Sequence, residues 1–341
     1  MAKAIIVSAG ALSAIQDLGR VGYQKMGMPV AGVMDNYAAR CANILVGNNE
    51  KAALIETALL GPEIKFTGKT LVALTGADMS AQINGVKIKN WKAYLVNKDD
   101  VLKLKGAVSG IRNYIAFSGG INVPSVMGSY ATYIKGGIGG VNGRALKAGD
   151  LLNFGSGGKF SIREMDAADI PIYNENIVLR AVAGPFSEYF TDEGSDLFFG
   201  QSYTVGARSD RMGIFLEGSA LSFTNKTADI LSSAILMGSV QITNDATPVI
   251  LMADRQTTGG YAQIATVISP DLPKAAQAKP GAKISFQKVS ISEAQNIYKE
   301  YEKQIANVKE KLGAGTAVRA SSAKTLSLNG SSYKAIIEEV N

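Results

Sequence analysis

The stretch KTLVALTGADMSAQINGVKI, residues 69–88, sets the reading of the fold. Its first part is a short run rich in valine and leucine that ends at a glycine, the composition of a strand. Its second part carries Asn84-Gly85 within INGVKI. That pair suits a two-residue type I′ hairpin turn, whose central residues both need positive φ. GIRNYIAFSGGI, 110–121, has the same texture, and strands spaced this regularly favour a barrel or a sandwich. One clear helix interrupts them near 36–46, within MDNYAARCANILVGN, with Asp35 placed as N-cap and Gly47 just past the end.

The chain has 341 residues, 46% hydrophobic and 19% charged, which is ordinary globular composition and leaves room for two domains. Its 37 glycines fit many tight turns between short strands. A net charge of +6 is spread thinly, without a run of like charges, so no nucleic-acid surface is expected. No segment approaches the roughly 20 apolar residues of a membrane span. The N-terminal apolar stretch runs straight into QDLGRVGY without a spacer, so it reads as a first strand rather than a secretory signal. A single cysteine, Cys41, forms no internal disulfide and reads as a buried structural residue. A cytoplasmic location is expected.

The chain contains no histidine. Ser-His-Asp and Cys-His nucleophile systems, histidine-ligated zinc and an imidazole base are therefore excluded. No DxD, CxxC or EF-hand spacing points to another metal site. Chemistry must come from Asp, Glu, Lys, Arg, Tyr, backbone groups or a partner chain.

Two internal echoes relate the halves. GPEIKFTGKT (61–70) resembles EGSALSFTNKT (217–227), and RALKAGDLLNF (144–154) resembles AQAKPGAKISF (276–286). They suggest two related β domains, 1–170 and 171–290, with the boundary in the polar stretch REMDAADIPIYNENI. A C-terminal extension follows over 291–341. There Ile297, Tyr301, Ile305, Val308 and Leu312 recur at helical spacing, with a capping signal at Ser292 and Gln295 and a stop at Gly313. A loop, GAGTAVRASSAK, is expected next, and then a hairpin turning at Asn329-Gly330.

Gly68-Lys69-Thr70 imitates the end of a phosphate-binding loop, but Glu63 stands where a glycine is required and a strand pattern follows. The glycine clusters GGIGGVNGR (136–144) and GSGG (155–158) likewise lack a strand-then-helix context, although Arg144 is placed to offer a guanidinium to a carboxylate or phosphate. Three segments collect polar groups beyond what turns require. They are IQDLGRVGY with Asp17 and Arg20; VGARSDRMGIFLEG with Arg208, Asp210, Arg211 and Glu217; and ADRQTTGGY with Asp254, Arg255, Gln256, Thr257, Thr258, Gly259, Gly260 and Tyr261. Each alone reads equally as a salt-bridged loop; together they suggest one polar cleft.

QDLGRVGY, GVMDNYAARCANILVGN, IETALLGPEIKF, TGAD, SGGINVPSVMGS, GRALKAGD, SDRMGIFLEG and DRQTTGGYAQIATVISPDL followed by AQAKPG occur in one order. In that order they resemble the biotin-dependent carboxyltransferase subunit family over residues 5–288. This family includes the C subunit of 5-oxoprolinase, also called the allophanate hydrolase subunit 2 family, and the matching half of the urea carboxylase carboxyltransferase domain. The resemblance implies a mainly β fold of two cyclophilin-like β-barrel subdomains with a few short helices, here followed by the C-terminal helix and hairpin. It implies as partner a homologue of the family's B subunit, joined by the A subunit in the oxoprolinase case, with a small amide as substrate. ATP would be bound with or by a partner, and carboxybiotin would arrive on another chain.

On that resemblance Asp254 and Arg255 are expected to be catalytic, Asp254 as the proton-transfer carboxylate. Gln256, Thr257, Thr258, Gly259, Gly260 and Tyr261 are expected to bind the amide, with the two glycines admitting close backbone approach. Asp17, Arg20, Asp35, Arg144 and Arg211 are expected to line or brace the same cleft. The leading expectation is ATP-dependent opening of 5-oxo-L-proline to L-glutamate. The alternatives are carboxyl transfer to a urea-like amide and regulatory sequestration of the B-subunit homologue. The chain departs from the family where relatives read Gly-Ser-Arg-Ser-Thr and it has Gly128-Ser129-Tyr130-Ala131-Thr132. It departs again at Phe215-Leu216-Glu217-Gly218, where an arginine often leads.

Overall fold

Leu71 to Ala77 are buried without interruption, because the strand that holds them, Thr70–Asp78, is covered on both faces. Val72 and Leu74 point into an apolar core, while Thr75 on the opposite face donates its hydroxyl to the Ala38 carbonyl at 2.6 Å. Ala38 belongs to helix α1, Asn36–Leu45. This explains the continuous apolar run: alternation is lost when neither face of a strand meets water.

The computed structural model describes residues 2–158, 160–224, 228–328 and 331–340. The chain divides into two compact units, one of Met1–Gly19, Asn36–Ile172 and Ile305–Asn341, the other of Arg20–Asp35 and Tyr173–Gln304.

In the first unit a six-stranded sheet runs in the order Leu151–Asn153, Lys3–Ser8, Glu63–Phe66, Val101–Lys103, Gln82–Ile83, Val86–Lys87. A five-stranded sheet runs Leu12–Gln16, Leu54–Ala58, Ser109–Phe117, Thr70–Asp78, Lys92–Val96. Ile6, Ile64, Phe66 and Leu102 from the first sheet share one core with Ile15, Ile55, Val72, Ile115 and Phe117 from the second. The hairpin expected at Asn84-Gly85 is present, with φ of 51° and 76° and Gln82 registered on Lys87. Helix α1 closes as expected past Gly47, at φ 76°, whose N–H bonds Ile44 while that of Asn48 bonds Asn43. Cys41 is buried within α1.

The second unit is a closed seven-stranded barrel, in the order Asn176–Ala183, Gln263–Val267, Ser239–Ile242, Pro248–Leu251, Gly213–Glu217, Ser202–Val205, Lys283–Lys288. The parallel pairing of Asn176 with Lys283 through Ala181 with Lys288 closes the ring. Leu179, Tyr203, Ile214, Val240, Ile250, Ile264 and Phe286 fill it. Two short helices, α2 (Asp192–Gly200) and α3 (Leu272–Ala276), flank its strands.

The expectation of two barrels is corrected. Only the second unit closes; in the first, the described strands form three separate sheets, of six, five and three strands, and none of them closes on itself. The second internal echo corresponds to strands in both units, Leu151–Asn153 and Lys283–Lys288. The first corresponds to a strand only at Glu63–Phe66, and residues 225–227 of its partner lie outside those described.

The C-terminal helix α4, Ile291–Leu312, starts earlier than expected. Its capping box is Ser290 with Glu293, not Ser292 with Gln295. The Ser290 hydroxyl accepts from the Glu293 N–H at 3.2 Å, and the Glu293 carboxylate accepts from the Ser290 N–H at 2.8 Å. Tyr301, Ile305 and Val308 are buried as their spacing requires. The segment expected as a loop is a strand, Thr316–Leu328, paired with Ser331–Val340 and, at Ala317, with Ser161. Its β-branched and small residues tolerate an extended backbone once a partner strand supplies the hydrogen bonds. The expected turn residues Asn329 and Gly330 lie outside the described residues.

The barrel rests on one fully buried acid. Asp271 accepts from Arg180 Nε at 2.8 Å and Nη2 at 2.7 Å, and Lys274 lies 2.8 Å away. Burial pushes its carboxyl pKa upward, but the bonds from Arg180 and Lys274 outweigh burial and leave it below the usual range. A depressed pKa adds stability that is present above the unfolded-state value, about 3.9, and is lost as pH falls through the folded value. Asp271→Asn, which leaves two partly exposed cations rather than a buried one, is expected to cost about 1.5–3 kcal/mol in urea denaturation at pH 7. The gap between variant and wild type should narrow as the pH is lowered below about 4.

Candidate functional site

The residues expected to form one cleft are distributed between the units. Arg20, Asp35, Arg211 and Asp254 to Tyr261 belong to the second unit, Asp17 and Arg144 to the first.

At the centre of the second unit's group lies the turn that follows the barrel strand Pro248–Leu251. Its backbone is tied by the Asp254 N–H to the Arg211 carbonyl at 2.8 Å and by the Met252 N–H to the Met212 carbonyl at 2.8 Å. The same residues meet through their side chains. Arg211 Nε donates to Asp254 Oδ2 at 2.9 Å and Nη2 to Oδ1 at 2.8 Å, both residues being buried. Arg211 Nη2 also reaches the Gly32 carbonyl at 2.6 Å, and the Ala31 N–H bonds the Ala253 carbonyl at 3.1 Å. The segment Arg20–Asp35 is thus held to this turn. Both Asp254 oxygens are engaged by Arg211, so the geometry makes Asp254 an anchor for a guanidinium rather than an open carboxylate.

Arg255 differs from Arg211. It is 5% exposed, and its guanidinium donates only to the Met252 carbonyl at 3.2 Å and the Ile235 carbonyl at 3.5 Å. Among the described residues it has no ion pair, and burial pulls its pKa down to about 10. Its positive charge is retained at neutral pH and is not matched by a local anion. Gln256 and Thr258 are exposed beside it.

The expected amide-binding loop is in part a strand. Thr258–Tyr261 pairs with Asp229–Ala234, Gly259 opposite Ser233 and Tyr261 opposite Asp229, while the Thr257 carbonyl accepts from the Ile235 N–H at 3.1 Å. Gly259 is crowded: a Cβ there would stand 2.5 Å from Ile235 Cδ1 and 2.7 Å from Gln241 Nε2, the ends of two buried side chains that would have to shift. At Gly260 the nearest atom to a Cβ, the Ile230 carbonyl oxygen, is 3.5 Å away. The Tyr261 carbonyl accepts from Gln241.

Asp35 is buried and accepts from Gln277 Nε2 at 2.9 Å and from the Tyr173 hydroxyl at 3.4 Å. Gln277 lies in the AQAKPG motif, whereas nothing in the sequence marks Tyr173. Arg20 is fully buried, and its N–H bonds the Val30 carbonyl at 2.7 Å.

In the first unit the Asp17 carboxylate, expected beside Arg20, is taken up by local donors. It accepts from the Gly19 N–H at 2.8 Å, the Ser129 hydroxyl at 2.7 Å and the Tyr130 N–H at 2.7 Å. Ser129 and Tyr130 stand in the segment that departs from the family pattern. Arg144 is not an open ligand group. It grips Asp150 with two bonds of 2.8 Å, and these hold the Asp150 pKa below the usual range.

Two consequences are measurable. Asp254→Ala should destabilise the protein by about 3–5 kcal/mol, because it strands a buried guanidinium, and Arg211→Met combined with Asp254→Leu should recover much of that loss in chemical denaturation. Gly259→Ala should cost about 1–3 kcal/mol by overpacking, whereas Gly260→Ala should stay within about 0.5 kcal/mol.

Comparison with known proteins identifies the family. A family model for the carboxyltransferase domain, subdomain A and B, matches residues 26–288. The 5-oxoprolinase C subunit of Escherichia coli is 36% identical over 289 residues, covering 85% of this chain and 92% of that protein. The solved structure of K. lactis urea amidolyase matches with a TM-score of 0.86 and 30% identity, covering 90% of this chain and 20% of the larger one. That of Kluyveromyces lactis urea carboxylase also gives 0.86, at 29% identity, over 93% of this chain and 30% of its own. The chain belongs to the carboxyltransferase family defined by subdomains A and B.

Proposed function

We propose that this chain is the carboxyltransferase component of a multi-chain enzyme, transferring a carboxyl group from carboxybiotin, carried on another chain, to a urea-like amide. The observation that carries the reading is Arg255. A nearly buried guanidinium without a counter-ion is suited to an oxygen that bears or gains negative charge, such as the carboxylate being moved or the amide oxygen of the acceptor. The anchored Arg211–Asp254 pair fixes the adjacent turn, so the charge is placed before substrate arrives. Gln256 and Thr258, both exposed, supply amide and hydroxyl groups to orient a planar amide. With both Asp254 oxygens held by Arg211, proton transfer falls to the partner chain or to the acceptor itself.

A second reading, the C subunit of an ATP-dependent 5-oxoprolinase, is favoured by the near full-length match to the bacterial protein. The same Arg255 would then meet the lactam oxygen or carboxylate of 5-oxoproline. In either case the chain would act with a B-subunit homologue. Residues Gly68-Lys69-Thr70 do not fit a triphosphate: they turn between the strands Glu63–Phe66 and Thr70–Asp78, and Lys69 donates to the Arg319 carbonyl. No step on this chain is therefore assigned to ATP.

The test is to co-purify the chain with the proteins encoded beside it and measure bicarbonate- and ATP-dependent carboxylation of urea together with glutamate release from 5-oxoproline. Urea turnover supports the first reading, and glutamate release replaces it with the second. In whichever assay is active, Arg255→Ala should lower kcat roughly 100-fold or more while leaving the folded state intact by circular dichroism. Full activity in a folded Arg255→Ala complex would refute the assignment.

A further inference from the structure

The second unit carries a cavity of about 550 Å³ that none of the residues discussed above as amide ligands lines. One wall comes from the barrel and its connections, through Val182, Met237, Val267 and Ile268. The other is the first two turns of α4, through Ile291, Ala294, Gln295, Tyr298 and Lys299. These five positions are spaced i, i+3, i+4, i+7 and i+8, so one helix face is turned to the cavity. Ile291 and Tyr298 remain 68% and 47% exposed, although both are placed to bury apolar surface. The volume is that of a small-molecule site, which typically joins an apolar lining to a few polar groups.

The charge pattern identifies the occupant. Lys299 is the one charged residue in the lining, and no carboxylate accompanies it. Lys299, Gln295 and Tyr298 are exposed at the rim, and among the described residues none of the three has a protein partner for its polar group. A cation and the polar side chains of Gln295, Tyr298, Thr266 and Ser269 thus border an otherwise apolar trough. We propose that this cavity binds an amphipathic carboxylic acid, its hydrocarbon body between the barrel and α4 and its carboxylate on Lys299 and Gln295. A carboxylate meets the ammonium with a charge-assisted hydrogen bond, and the hydrocarbon body is stabilised by leaving water.

The experiment is isothermal titration of the full chain with decanoate below its micellar concentration, beside decylamine of the same chain length. Decanoate is expected to bind one site with a Kd on the order of tens of micromolar, and decylamine at least about tenfold more weakly. Lys299→Gln should weaken decanoate about tenfold. Ile291→Glu places a negative charge at the cavity mouth and should abolish binding. Ile291 is exposed in the first turn of α4, where an acidic side chain suits the helix dipole, so the variant should keep the wild-type Tm. Absence of saturable decanoate binding, equal binding of decylamine, or decanoate binding unchanged in a folded Ile291→Glu variant would each overturn the proposal.

Discussion

The two bonds between Arg211 and Asp254 are the constraint around which the second unit's polar residues are arranged. Removing two charges from water is tolerable only when they are paired and their remaining groups are bonded. Here Arg211 Nη2 also donates to the Gly32 carbonyl, so one ion pair fixes three segments far apart in sequence. The neighbouring Arg255 has the same burial and no such partner. The contrast separates structure from function within two adjacent residues: Asp254 is consumed by the fold, and Arg255 keeps an unmatched charge.

A similar division runs through the glycines of the same segment. Thr258–Tyr261 continues as a strand against Asp229–Ala234, and Gly259 gives its missing side chain's space to Ile235 and Gln241. A motif that reads as room for a ligand is, at that position, room for the protein's own core. Gly260 faces open enough space that packing does not explain it. The polar side chains of Gln256 and Thr258 stay in solvent, where a ligand can reach them.

Helix α4 carries two kinds of surface. Its later turns bury Ile305 and Val308, while its first turns leave Ile291 and Tyr298 exposed around a cavity. The Ser290–Glu293 capping box fixes where the helix begins, and hence which residues face that cavity. A start two residues later would leave Ile291 outside the helix.

Local pattern determined much of this protein. The Asn84-Gly85 turn, helix α1 with its Gly47 end, the buried stripe of α4 and the β character of the chain all follow from backbone preference and apolar spacing within a few residues. The absence of histidine likewise confined the chemistry by composition alone. Ordered motifs marked Asp254 and Arg255 as worth locating. Which sheets close was settled by strand pairing between residues distant in sequence: Asn176 to Ala181 meets Lys283 to Lys288 in one unit, and no equivalent closure joins the described sheets of the other. Partner choice among charges was settled in the same way. Asp17 turns to Ser129 and Tyr130, Arg144 to Asp150, and Arg211 to Asp254. A sequence specifies that a charge is present, but its partner depends on which backbone the fold brings within about 3 Å, and that distance exists only in the tertiary structure.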